Sequence, residues 1–165
     1  MEPKKKKKVK AEKKIIGRKE KIDLPEFGLV NLDAKIDTGA YSSSLHCRIK
    51  GESVIDGTAY VCFIPLAKKY RARHAREIMV PITKRKVVKS SSGHAEERYF
   101  VTLQVSLAGM QIETEFSLTD RSSMKHTILL GRKFLKKRFV VDVSKQYIFY
   151  NQSKTRKLAL KKQAT

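Results

Sequence analysis

Ala34-Lys35-Ile36-Asp37-Thr38-Gly39-Ala40 sets a carboxylate at the end of an apolar strand and follows it at once with a hydroxyl and a glycine. That order aims Asp37 into a cleft. Gly39 permits a sharp backbone turn beside the carboxylate and offers an N–H to its ionised oxygen, while the Thr38 hydroxyl can lock the loop. Asp, Thr and Gly are also ordinary turn residues, so the tripeptide alone does not separate a reactive loop from a plain turn. A second stretch weighs in: some ninety residues later, Ile128-Leu129-Leu130-Gly131-Arg132 reads as an apolar strand running into a glycine and then a helical turn or two through Phe134 and Leu135.

Between and around these two stretches the chain alternates apolar and polar residues at period two, with turn residues interrupting the runs. The clearest case puts Tyr99, Val101, Leu103, Val105 and Leu107 on one face. Ala108-Gly109 then turns the chain, and Met110, Ile112, Thr114, Phe116 and Leu118 alternate on the way back. This is a long antiparallel hairpin. Further strands are expected at 32–36, 42–49, 58–66, 77–83, 86–90, 139–143 and 146–150, and the basic stretch 67–76 is expected to be an exposed insertion. Many short strands with so little helix predict an all-β fold, a small closed barrel with one short C-terminal helix.

The two motifs, in their order, type and spacing, resemble those of retropepsin-like aspartic peptidases. A closer resemblance spans most of 15–150. It rests on Ile16-Gly17-Arg18-Lys19-Glu20, Leu24-Pro25, 34–40, Ser44-Leu45-His46, 87–93, Glu97-Arg98-Tyr99, Asp120-Arg121, Met124, 129–132 and Val141-Asp142. In these the chain resembles a bacterial family known as ATP-dependent zinc proteases with a retropepsin-like fold. The resemblance implies an acid-protease fold with Asp37, Thr38 and Gly39 as the catalytic loop, and an association with the ligase that adds glutamates to a small-subunit ribosomal protein. The residues do not support the two cofactors in that family label. No Gly-x-x-x-x-Gly-Lys-Ser/Thr loop is present to hold ATP, and no His-Glu-x-x-His is present to hold zinc. His46, His74, His94 and His126 are scattered, and His94 with Glu96 and Glu97 reads as a polar hairpin tip rather than a ligand set. No cofactor and no metal are expected.

One Asp-Thr-Gly loop supplies one carboxylate, whereas peptide hydrolysis of this type uses two that share a proton. A twofold homodimer pairing two copies of Asp37 is therefore expected. The segment 80–98 precedes the long hairpin as a flap would, with Ser90-Ser91-Ser92-Gly93 as its tip. Ala40, Lys35, His46, Ser91, Ser92, Gly93, Arg121 and Arg132 lie in or near the motifs and are the candidates for substrate contact.

Charge points to the substrate class. The chain of 165 residues carries 37 Lys and Arg against 16 Asp and Glu, a net +21. Residues 1–21 hold 11 basic and 3 acidic groups, 152–165 hold 5 basic and none acidic, and the remaining body holds 21 and 13. A basic arm at 1–14, a folded domain at 15–150 and a basic tail at 151–165 are expected. Such a field gathers polyanions, and an acidic peptide, RNA or the ribosome all qualify. An acidic substrate, with oligoglutamate on a ribosomal protein as its sharpest form, suits a peptidase. The rival reading is a non-catalytic, ribosome- or RNA-binding β-domain that kept the fold and lost turnover. No run approaches the roughly 18 apolar residues of a membrane span, and charge stands where a signal peptide places its apolar core. A cytoplasmic protein without membrane contact is expected, with Cys47 and Cys62 reduced.

Overall fold

The computed structural model describes residues 12–65, 76–89, 93 and 95–163, and for 158–163 the helical backbone alone. Its strands are β1 (Lys14–Gly17), β2 (Lys19–Leu24), β3 (Leu29–Ile36), β4 (Ser43–Ile55), β5 (Thr58–Pro65), β6 (Ile78–Pro81), β7 (Lys84–Lys89), β8 (Ala95–Leu107), β9 (Met110–Thr119), β10 (Ile128–Leu130) and β11 (Phe139–Asp142). Its helices are α1 (Arg132–Leu135) and α2 (Ile148–Gln163). The fold is mostly β, as the alternation predicts.

The long hairpin forms as read. Leu107 pairs with Met110 across a two-residue turn, and both turn residues, Ala108 and Gly109, take positive φ (54° and 75°). That is the turn geometry whose twist matches that of the strands it joins. Val101, Leu103, Val105 and Leu107 of β8 and Ile112, Phe116 and Leu118 of β9 are buried. Each such side chain contributes about 1.5–3 kcal/mol by leaving water.

Pairing runs β10–β3–β2–β8–β9–β4, and β4 pairs back to β10, so these strands form a ring around the core. The ring is thinnest between β2 and β8, where Asp23 and Ser106 are the paired residues. Beyond the ring, β4 continues into a sheet with β5 and β6 that has Val61, Phe63, Ile78 and Val80 as its buried residues. Cys47 and Cys62 are both free, and burial pushes the Cys47 thiol up to about 12, which keeps it protonated. The expected flap is the β7–β8 hairpin, with Lys84 opposite Phe100 and Lys89 opposite Ala95. Glu52 of β4 ties its base down by pairing with Arg85 and accepting from the Tyr99 hydroxyl. Of the expected basic insertion, 67–75 lies outside the described residues.

The strand expected at 146–150 is instead the start of a helix. The expected short helix is α1, and α2 adds a second that runs through the expected domain limit at 150. Tyr147, Ile148, Phe149 and Tyr150 have strand propensity, but tertiary contacts override it. Glu20, fully buried on β2, accepts the Ile148 N–H on Oε1 at 2.7 Å. The Tyr147 hydroxyl donates to Asp33 Oδ1 at 2.9 Å, and the Phe149 ring meets Phe139 edge-on at 6.3 Å. A carboxylate at a helix N-terminus satisfies orphan N–H groups and faces the positive end of the helix dipole.

Burial raises the Glu20 carboxyl above its ordinary range, although the N–H groups of Ile148, Phe149, Gly17 and Tyr150 pull the other way. A raised carboxyl favours the fold most below its unfolded value, and that contribution is lost as pH rises through the folded value. Glu20→Gln should therefore gain stability relative to the unaltered protein between pH 4 and pH 7, read from urea midpoints of both at each pH. Glu20→Ala removes the anchor itself and should cost about 1–3 kcal/mol with loss of helical signal. A Glu20→Gln variant that loses ground as pH rises would contradict the assignment.

Candidate active site

Asp37 stands where β3 ends. Its N–H donates to Leu130 O at 2.9 Å, which fixes the Asp37 backbone to β10. Its Oδ1 accepts two N–H groups, from Gly39 at 3.0 Å and from Ala40 at 3.1 Å. Asp37 is half-buried, whereas Thr38 and Gly39 are exposed, so the carboxylate is held from one side and open on the other. The Thr38 carbonyl takes part in a different set of contacts, those that hold the loop from behind.

That set begins with β10, which pairs in parallel with β3 and antiparallel with β4. Gly131 follows it, and a Cβ there would lie 2.5 Å from Ser42 O and 3.0 Å from Ala40 O. No side chain fits. The Gly131 N–H donates to the buried Ser43 hydroxyl at 3.2 Å. The next N–H groups, of Arg132 and Lys133, donate to Ala40 O at 2.8 Å and Tyr41 O at 3.0 Å. Arg132 Nη1 donates to Thr38 O at 3.2 Å and Gly39 O at 2.6 Å. Every carbonyl from 38 to 41 is thereby occupied, and the Arg132 guanidinium is placed as a clamp on the loop.

Arg121 approaches from the segment after β9. Its backbone N–H donates to His46 Nδ1 at 2.8 Å, and its Nε donates to His126 O at 3.1 Å. His46 is itself buried, with 4% of its side chain exposed. The Asp120 carboxylate lies 3.7 Å from the same His46 nitrogen, but that lone pair already accepts the Arg121 N–H, so the contact is not a salt bridge. Burial first, and then the like charge of Arg98, push the Arg121 guanidinium below its ordinary value, while Asp37 acts in the opposite direction. Burial likewise lowers the His126 imidazole, followed by the positive charges of Lys19, Lys35, Lys125 and Arg121. Lys19 and Lys35 are cross-strand partners on β2 and β3, and Lys35 is exposed two residues before Asp37. A group of cations thus surrounds His126 and extends toward Asp37.

The structure brings Asp37, Thr38, Gly39, Ala40, Arg121, Arg132 and His46 together and sets Lys35 two residues before Asp37 on β3 itself. Gly93 lies at the tip of the β7–β8 hairpin with φ of 86°, and Ser91 and Ser92 lie outside the described residues. Sequence reasoning passed over two residues here. Arg98, opposite Lys86 in the β7–β8 hairpin, pairs with Glu96 at 2.8 Å and is close enough to Arg121 to repel it, and Ser43 holds Gly131. Arg98 headed the period-two run and stood in the Glu97-Arg98-Tyr99 motif, but neither signal placed it beside Arg121. Ser43 carried none.

The family model for RimB-like proteins, retropepsin-like aspartic endopeptidase RimB, matches residues 15–152. The chain belongs to this family. A solved structure from Legionella pneumophila, Lpg0085, whose function is unknown, superposes with a TM-score of 0.70 at 27% identity and covers 84% of this chain and 99% of that one. Among proteins of similar sequence, a probable alpha-L-glutamate ligase of Desulfotalea psychrophila is 30% identical over 160 residues. Another from Shewanella pealeana is 31% identical over 137. The matches take in 90% and 81% of this chain but 34% and 29% of those proteins. The chain therefore spans about a third of the length of these relatives.

Zinc does not fit the residues the structure describes. Among them no three His, Cys, Asp or Glu side chains gather to hold a metal ion, and His46 Nδ1 is committed to a backbone N–H. His74 and His94 lie outside the described residues. Nor is any helix among the described residues long and apolar enough to cross a membrane.

Replacing Gly131 tests the loop directly. Gly131→Ala must displace the Ser42 carbonyl, and overpacking of this kind costs about 1–3 kcal/mol. The urea midpoint should fall accordingly, and amides 39 and 40 should exchange faster with solvent as the loop loosens. Unchanged stability and exchange would show that β10 does not hold the loop.

Proposed function

We propose that this protein is an aspartic endopeptidase of the cytoplasm that hydrolyses acidic peptide segments through a dyad of two Asp37 carboxylates, one from each copy of a homodimer. The observation that carries this reading is the Asp37 carboxylate, gripped by two N–H groups on a loop whose own carbonyls are all tied down, in a chain of the RimB-like family. Preorganisation of this kind lets a carboxylate meet a water and a peptide without rearranging first.

In the dyad, one carboxylate takes a proton from water while the other, protonated, donates to the scissile carbonyl oxygen. The water oxygen bonds to the carbonyl carbon and gives a tetrahedral diol. Collapse of the diol breaks the C–N bond, with a proton passing to the leaving nitrogen. Neither ATP nor metal enters these steps. Thr38 and Gly39 shape the loop, Ala40 completes the grip on Oδ1, and the β7–β8 hairpin with Gly93, Ser91 and Ser92 at its tip closes over the substrate.

Lys19, Lys35, Arg98, Arg121 and Lys125 collect the substrate's carboxylates, with His46 and His126 holding Arg121 in place and Arg132 fixing the loop beside them. The relatives named as glutamate ligases carry a domain similar to this one within a longer chain. An oligoglutamate segment, as added to a ribosomal protein, is the substrate that best joins that similarity to the charge around Asp37.

Asp37→Asn should keep the fold, because the amide keeps the shape, and should lower hydrolysis of an acidic peptide by at least about a hundredfold. Chelator and omission of ATP should leave the rate of the unaltered protein unchanged. Full activity in the variant would end the aspartic reading, and activity restored by metal after chelation would end the metal-free one.

Charge selection is tested with acidic, neutral and basic peptides at two salt concentrations. Surface fields act over a Debye length of about 8 Å at physiological salt, so salt should raise KM for acidic peptides and change kcat little. Arg98→Gln and Arg121→Gln should each raise that KM severalfold. If neutral peptides are cut best at both salt concentrations, the acidic-substrate assignment fails while the peptidase assignment stands.

A further inference from the structure

We propose that α2 and the start of β1 form a second binding surface, one for the phosphodiester backbone of RNA, in the groove they share with the β8–β9 turn. The first turn of α2 is anchored to the domain through Glu20, Asp33 and Phe139. Every residue from Asn151 to Lys157 is exposed. From 148 to 163 the helix sequence carries Lys154, Arg156, Lys157, Lys161 and Lys162 and no acidic residue. Cations in a last turn favour the helix dipole, but Lys154, Arg156 and Lys157 lie ahead of that turn, and nothing acidic on the helix pairs with them.

A groove of about 1050 Å³ runs between α2 and the β8–β9 turn. Lys14, Asn151, Gln152, Ser153, Thr155 and Arg156 are among the residues that line it. Lys, Arg, Asn, Gln, Ser and Thr are the side chains that contact phosphate and sugar. Ser153 and Thr155 donate their hydroxyl protons to Tyr150 O at 2.9 Å and Asn151 O at 3.0 Å, so their oxygens are left to accept. A ribose 2′-hydroxyl can donate to them, whereas the carboxylates of an acidic protein only accept. The groove therefore suits RNA better than an acidic protein surface.

Chain topology adds charge to the same place. Lys14 lines the groove, and the basic run from Lys4 to Lys10 is a few residues before it in sequence. Ser106 of β8 pairs with Asp23 near the start of β3, and Asp37 follows the other end of that eight-residue strand. The β8–β9 turn and Asp37 are accordingly separated by roughly the 25 Å length of the strand. Nothing in this surface depends on whether Asp37 is active.

The test measures binding of the full chain to a fluorescent single-stranded RNA 20-mer by anisotropy at several salt concentrations, with polyglutamate of equal charge as competitor. The comparison is a triple variant, Lys154→Gln, Arg156→Gln and Lys157→Gln, whose exposed changes keep helix propensity. The variant should bind RNA at least about tenfold more weakly, and its salt dependence should flatten by about 2 in slope, at roughly 0.7 per lost contact. Asp37→Asn should bind like the unaltered protein, and polyglutamate should displace RNA only at about tenfold higher charge concentration or more. Equal RNA binding by the triple variant, or no binding at low salt, would overturn the proposal. So would displacement by polyglutamate at equal charge, which would assign the surface to an acidic protein.

Discussion

Three residues of backbone, β10, hold the site together from inside the fold. Strand β10 lies between β3 and β4 and pairs with both, which makes it the seam at which the ring of strands closes. The chain leaves that seam at Gly131, where backbone carbonyls of the Asp-Thr-Gly loop approach to distances that no Cβ could share. Close approach is what allows the N–H groups of 131–133 to reach Ser43, Ala40 and Tyr41. Closure of the core and placement of the carboxylate are thus one event. A loop bonded only to water would have no reason to keep Asp37 in one orientation.

The surroundings of Asp37 are built from repulsion as much as attraction. Arg98 and Arg121 oppose each other, and the positive charges around His126 all act on it with the same sign. Elsewhere the fold pairs its cations conventionally. Glu115 is half-buried between Lys84 at 2.7 Å and Lys133 at 3.1 Å, and although burial disfavours its charge, the two lysines hold its carboxyl below the ordinary range. The contrast matters. Where a structural ion pair is wanted, an acid is supplied, as Glu96 is for Arg98 at 2.8 Å, whereas the cations around His126 act on it with one sign.

Helix α2 shows a similar division between holding and presenting. Its first turn spends a buried carboxylate, a tyrosine hydroxyl and an aromatic contact on attachment. From Asn151 to Lys157 it carries charge into solvent. Burying Glu20 has an energetic cost, visible in its raised carboxyl, and the return is a fixed direction for a helix that propensity alone would not have formed.

Period-two alternation on 98–118 and the apolar runs before Asp37 and Gly131 were enough to read most of the strands, the long hairpin and the position of the Asp-Thr-Gly loop, because burial on one face of a sheet imposes that pattern directly on the residues. The same local logic misread 146–150. Those residues look like a strand, and what makes them a helix start is Glu20, 128 positions away, which local pattern cannot show. Arg98 and Ser43 were passed over for the same reason. Their neighbours at the site, Arg121 and Gly131, come from distant parts of the chain. Arg132 could be listed near the loop from sequence, but its grip on Thr38 and Gly39 is set by the crossing of β10 behind β3. Residue types and local periodicity are written along the chain, whereas contacts between distant segments exist only once the strands have paired, and the cations around Asp37 and the groove beside α2 are made of such contacts.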